Sequence, residues 1–113
     1  MNKDVADKWV KALRSDEYTQ STNYLQNGAG HCCLGVLCEI GRNSGVLINK
    51  SLGGQIKGET LNDQSAIKKW AGMRTGQGKF KFKHPNNNLT ALNDEGYTFE
   101  EIADIIEKEW EDL

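Results

Sequence analysis

The chain has 113 residues, 37% of them apolar, and its 14 basic and 16 acidic side chains give a net charge of −2. That length supports one modest core and a single domain over residues 1–113. The slightly acidic balance argues against a dedicated duplex-DNA binder, and no apolar run approaches the ~20 residues needed to cross a bilayer.

The first predicted element is an amphipathic helix capped by Asp4, with Val5, Trp9 and Leu13 on one stripe, Ala6 and Ala12 beside it, and Ser15-Asp16 at its end. Glu17 to His31 carries the strand formers Tyr18, Thr19, Thr22 and Tyr24 and the Asn27-Gly28 turn signal, which together predict a hairpin. The run from His31 to Ile40 (HCCLGVLCEI) follows, with Glu39 its one full charge. Cys33, Val36, Leu37 and Ile40 keep helical spacing while Leu34 and Cys38 are apolar too. A helix apolar nearly all round must be buried, so this one is the expected centre of the core.

Val46-Leu47-Ile48 reads as a short apolar strand or extended piece and the glycine-rich stretch 49–60 as a loop or a loose hairpin. Asn62 or Asp63 is the expected cap of a helix that buries Ile67, Trp70 and Ala71, with Ala66 on the same face, and Gly72 stops it. Lys79-Phe80-Lys81-Phe82-Lys83 alternates with period two, predicting a strand with the phenylalanines inward and the lysines outward. Leu89 to Asn93 is a short helical turn broken by Gly96. Thr98-Phe99-Glu100-Glu101 is a capping box, and the helix it opens carries a stripe of Phe99, Ile102, Ala103, Ile106, Trp110 and Leu113. The expected fold is a single compact α+β domain, with about three main helices packed on a small antiparallel sheet.

Charge is segregated. Lys68, Lys69, Arg74, Lys79, Lys81 and Lys83 fall between Ala66 and His84 with no acid among them, whereas nine acids and one lysine follow from Asp94 onward. The Leu89–Ala103 stretch has the outline of a helix-turn-helix, but its second helix is acidic where a recognition helix needs cations and donors. His31, Cys32, Cys33 and Cys38 lack the paired C-x2–4-C spacing of a structural zinc site, so no metal and no cofactor is expected. The odd cysteine count, with two adjacent, fits reduced thiols in a cytoplasm rather than a disulfide framework, and MNKDVADKW has no signal-peptide apolar region.

Two resemblances carry further. Cys33-Leu34-Gly35-Val36-Leu37, with Gly45-Val46 after it, resembles the helix start of the NlpC/P60 cysteine peptidases. That resemblance implies a thiol hydrolase with Cys33 as nucleophile and His84 as base, although the family's Asp before the cysteine is Cys32 here. A wider resemblance rests on Trp9-x3-Leu13-Arg14-Ser15, on the HCCLGVLC block, on Ile67-x2-Trp70-Ala71-Gly72-Met73, and on Leu92-Asn93-Asp94-x-Gly96-x2-Phe99-x-Glu101-Ile102-Ala103-Asp104. These blocks are similar to a family of small proteins of tailed phages and prophages, which implies an accessory role, such as counter-defence, in the host cytoplasm. The leading expectation is a non-enzymatic binder with two versions. One sequesters a small anionic, nucleotide-like ligand at Trp70, Arg74, Lys79, Lys81, Lys83 and His31. The other occludes a host protein with the acidic C-terminal helix. Neither duplex DNA nor membrane is an expected partner, and oligomeric state stays open, a homo-oligomer included.

Overall fold

Helix α1 runs Lys3–Arg14 in the computed structural model, which describes residues 1–81 and 87–113. Asn2, not Asp4, caps it: Asn2 Oδ1 accepts from the Asp4 amide at 3.0 Å, which places Asp4 inside the first turn, where its charge favours the helix N-terminus. Val5, Ala6, Trp9, Val10 and Leu13 are buried as the stripe requires.

The expected hairpin is much shorter than the strand-forming sequence around it. Strands β1 (Gln26–Asn27) and β2 (Gly30–His31) pair antiparallel about the Asn27-Gly28 turn, with Gln26 opposite His31, and Gln20 bridges to His31 in parallel on the other side. The reason is Asn23, whose φ of 73° is left-handed and cannot continue a strand. Its amide donates to Asp94 Oδ1 at 2.9 Å, so the break is held from across the fold.

Helix α2 (Cys33–Asn43) is the centre. Cys33, Leu34, Gly35, Val36, Leu37, Cys38 and Gly41 are all buried, as an all-round apolar helix demands. It touches α1 on one side and, on others, α3 (Ser65–Ala71) and α4 (Leu89–Asp94). Gly35 permits a close approach: a Cβ there would stand 1.8 Å from the Leu25 carbonyl oxygen.

The stretch 49–60 takes the hairpin form of its two expected alternatives. Lys50 bridges Ile56, the Ser51 amide donates to Gln55 O at 2.8 Å, and the Gly54 amide donates to Ser51 O at 2.9 Å. Gln64 is buried and stitches this hairpin to the body. Its Oε1 accepts from the Asn49 amide at 2.8 Å, and its Nε2 donates to the carbonyls of Asn49 and Lys57 at 2.7 and 2.8 Å. Asn62 and Asp63 therefore do not cap α3. They lie in a 3-10 turn, Leu61–Asp63, that Thr60 caps by accepting from the Asn62 amide, and Gln64 occupies the α3 cap position with its side chain committed elsewhere.

The expected strand 79–83 is described only in part. Lys79 makes a single antiparallel bridge to Asn88, Phe80 is buried and Lys79 and Lys81 are exposed, while Phe82 and Lys83 lie outside the described residues. Helix α5 (Phe99–Glu109) opens on the full capping box: Thr98 Oγ1 accepts from the Glu101 amide at 3.1 Å and Glu101 Oε1 accepts from the Thr98 amide at 3.0 Å. It packs chiefly along α1, and a 3-10 turn, Trp110–Asp112, ends the chain. The described residues thus form an α+β domain of five helices, four of them seven residues or longer, and one two-stranded antiparallel sheet. No described helix is long and apolar enough to cross a membrane.

Candidate functional site

The concentrated chemistry of the HCCLGVLC block is consumed by packing. Trp9 Nε1 donates to the Cys33 carbonyl at 2.8 Å in the core. The free amide of Cys33, at the start of α2, donates to Oδ1 of Asn93, which is buried on α4. Asn93 Oδ1 also accepts from Gln20 Nε2 at 2.9 Å and its Nδ2 donates to Ser21 O at 2.8 Å, so this buried amide is satisfied on both ends. The Asn93 of the Leu92-Asn93-Asp94 block is therefore an external cap for α2.

The thiols do not resemble nucleophiles. Cys33 does begin a helix, as the peptidase resemblance implies, but it is fully buried and its Sγ donates to the Leu89 carbonyl at 3.7 Å. Burial drives its pKa well above the ordinary thiol value, aided by the nearby Cys32, and outweighs the lowering by the helix amides. Burial likewise pushes Cys32 up to about 11 and raises Cys38. This complete burial weighs against the alternative in which Cys33 is a nucleophile, because desolvation opposes the helix dipole. His84 lies outside the described residues. Among the described residues no group of three or more His, Cys, Asp or Glu side chains is placed to hold a metal.

The basic set is not brought together in the way a helical spacing implies. Gly72, at φ 69°, ends α3, so the four-residue register that would stack Arg74 over Trp70 is lost. Trp70 is half-buried against α2, where a Cβ at Gly41 would meet its ring at 3.2 Å. Arg74 holds the chain end: its amide donates to Leu113 O at 2.7 Å and its Nε to Asp112 O at 2.9 Å. Lys79 and Lys81 are exposed, and Lys83 is outside the described residues. His31 stands edge-on to the Tyr18 ring, centroids 5.3 Å apart, and its Nε2 is buried with no partner among the described residues. Burial is the main cause that lowers its pKa.

A different constellation does converge. The left-handed Asn23 sends Leu25 into the core and leaves Tyr24 51% exposed. Beside the Tyr24 ring, β1 and the 51–58 segment enclose a groove of about 250 Å³, with Ile56 in its lining and Lys57 as its one charged residue. Gln26 and Gln55 supply amides there; Gln26 Oε1 accepts from the Ile56 amide at 2.8 Å, which holds the groove's two walls together. A second, open concavity of about 600 Å³ shares Tyr24, Lys57 and Gly58 with this groove and is lined besides by Glu59, Asp63 and Gln77.

The Lys57-Gly58 segment that both concavities share is fastened along its backbone. The Lys57 amide donates to Asn49 O at 2.9 Å, its carbonyl accepts from Gln64, and Gly58 O accepts from the Leu25 amide at 2.9 Å. Sequence periodicity could not reveal this pairing, because Tyr24 reads as one more strand former and Lys57 as a loop lysine. The signal available in the chain was the Asn-Tyr-Leu order at 23–25, a residue tolerant of positive φ just ahead of an aromatic and an aliphatic residue.

The acidic helix is partly neutralised. Arg14 reaches from α1 to Asp104 Oδ1 and Glu107 Oε2, both at 2.7 Å, and to Glu100 Oε1 at 3.8 Å. One guanidinium among three carboxylates leaves that face anionic, and a groove between α1 and α5, lined by Asp7, Lys11, Arg14 and Glu107, runs beside it.

A family model described as Domain of unknown function (DUF8296) matches residues 1–110. The chain belongs to that family. No curated protein and no solved structure matches it. The stretch matched to DUF8296 takes in α2, Asn93 and both concavities around Tyr24, and leaves out only Glu111, Asp112 and Leu113. The Tyr24 groove offers a flat ring, one cation, the Ser51 hydroxyl and side-chain amides.

Proposed function

We propose that this protein is a non-enzymatic binder that sequesters a small anionic, nucleotide-like ligand. Its setting is the host cytoplasm, as an accessory protein of the tailed-phage kind that its four sequence blocks resemble. The observation that carries the reading is the half-exposed Tyr24 ring standing over a groove whose one charged lining residue is Lys57. A base stacks on an exposed aromatic for about 1–3 kcal/mol, and a lysine supplies the counter-charge for phosphate. The side-chain amides of Gln26 and Gln55, on opposite walls of the groove, could meet the edge of a base.

The test is calorimetry of the purified protein against a panel of nucleotides, with Tyr24→Ala and Lys57→Ala beside the wild type. Both side chains are exposed, so each variant keeps its stability within ~0.5 kcal/mol. Each is expected to weaken binding at least tenfold, about 1.4 kcal/mol. A nucleotide bound equally by wild type and Tyr24→Ala would move the site away from this groove.

A second reading, occlusion of a host protein, is favoured by the carboxylate row Glu100, Asp104 and Glu107, whose side chains are 61–67% exposed although Arg14 holds them. Triple charge reversal there should abolish capture of the protein partner while nucleotide binding survives.

A further inference from the structure

We infer that the groove accepts a ligand with a planar heteroaromatic group and a single negative charge, a cyclic or other phosphodiester nucleotide, and rejects polyphosphates. This inference rests on the nucleotide reading above and narrows it. The groove beside Ile56 has one charged lining residue, Lys57, so it can balance one phosphate charge. Further phosphates would extend into the adjoining concavity, which shares Tyr24, Lys57 and Gly58 and adds the carboxylates of Glu59 and Asp63 to its lining.

The Asp63 carboxylate is fixed in place. Asp63 Oδ2 accepts from the Glu59 amide at 3.1 Å, and the Gly58 backbone, at φ 108°, approaches the Asp63 side chain so closely that a Cβ there would lie 2.3 Å from Asp63 Cβ. Neither carboxylate forms a salt bridge among the described residues, and both residues are exposed. A triphosphate whose first charge sits on Lys57 must then place its remaining charges beside two like charges, or leave them in water without a partner. The same arrangement excludes a single-stranded nucleic acid chain, which needs a continuous cationic track along its backbone. Discrimination here comes from repulsion built against the wrong ligand as much as from attraction to the right one.

The experiment is isothermal titration with three probes that share one base: a 3′,5′-cyclic monophosphate, the corresponding triphosphate, and a short single-stranded oligonucleotide. Wild type is compared with Glu59→Gln, which removes one charge and retains the backbone amide bonded to Asp63. The cyclic monophosphate should bind at least tenfold more tightly than either other probe. In Glu59→Gln its affinity should be unchanged, while the triphosphate should gain about threefold to tenfold from the loss of one like charge at contact distance. Wild type binding the triphosphate as tightly as the cyclic monophosphate would overturn this inference while leaving the nucleotide reading intact. No change in triphosphate affinity in Glu59→Gln would overturn the role of Glu59. Failure of all three probes to bind would overturn the nucleotide reading itself.

Discussion

Replacing Gly35 by Ala tests the central packing of the fold, and two effects of opposite sign compete. Within a helix, Gly→Ala normally stabilises by about 0.5–1 kcal/mol, because glycine loses more backbone freedom on folding. At Gly35 the added Cβ would lie 1.8 Å from the Leu25 carbonyl oxygen and 2.7 Å from its carbon. A carbon–oxygen contact needs roughly 3.3 Å, so the two backbones must part by about 1.5 Å. Leu25 cannot yield cheaply: its side chain is fully buried, its carbonyl accepts from the Cys32 amide at 3.2 Å, and its amide donates to Gly58 O at 2.9 Å. Overpacking costs about 1–3 kcal/mol and each strained hydrogen bond about 0.5–1.5 kcal/mol, so the net expectation is a loss of about 2–4 kcal/mol. For a domain of this size that lowers Tm by roughly 8–16 °C. Urea unfolding followed by circular dichroism reads it, with Gly28→Ala as the control, since a Cβ at Gly28 meets nothing within 4 Å. A Gly35→Ala protein as stable as wild type would mean that α2 does not rest against Leu25, and the packing described here would be wrong.

Asn93→Leu should destabilise by about 2–4 kcal/mol, because it strands the Cys33 amide and Ser21 carbonyl in the core; denaturant midpoints measure it, and a neutral result would remove Asn93 as the cap of α2. Thr98→Ala should cost about 0.5–2 kcal/mol through loss of the capping box, read as a shift in Tm. Native Cys33 should react with a thiol reagent at neutral pH far more slowly than in denatured protein, and fast native labelling resolved by peptide mass spectrometry would reinstate a reactive thiol. His31 has a lowered pKa in the folded state, so the unfolded chain binds its proton more readily. Its contribution is therefore lost as pH falls below about 6.5, and the pH dependence of the urea midpoint between pH 7.5 and 5.5 should flatten in His31→Gln.

Several features were legible in the residues alone because the physics that makes them is local. The period-3.6 stripes of α1 and α5, the Thr98–Glu101 capping box, and the burial of a helix apolar on every side follow from spacing along one segment. The α+β class follows from those helices and the Asn27-Gly28 turn. Where local rules and long-range bonds competed, the tertiary structure decided. Asp63 is a competent cap by type, yet the 3-10 turn and the diversion of Gln64 to Asn49 and Lys57 move the helix start. Cys33 stands at a helix N-terminus that favours thiolate, yet complete burial reverses the sign. Arg74 follows Trp70 by four residues, but one left-handed glycine turns it toward the carbonyls of Asp112 and Leu113. Tyr24 and Lys57 are 33 positions apart in the chain and line one groove only because Asn23 is held left-handed by Asp94 and the 49–57 hairpin is stitched down by Gln64. Periodicity reports which side of its own element a residue takes; it carries no information on which distant backbone that side will meet.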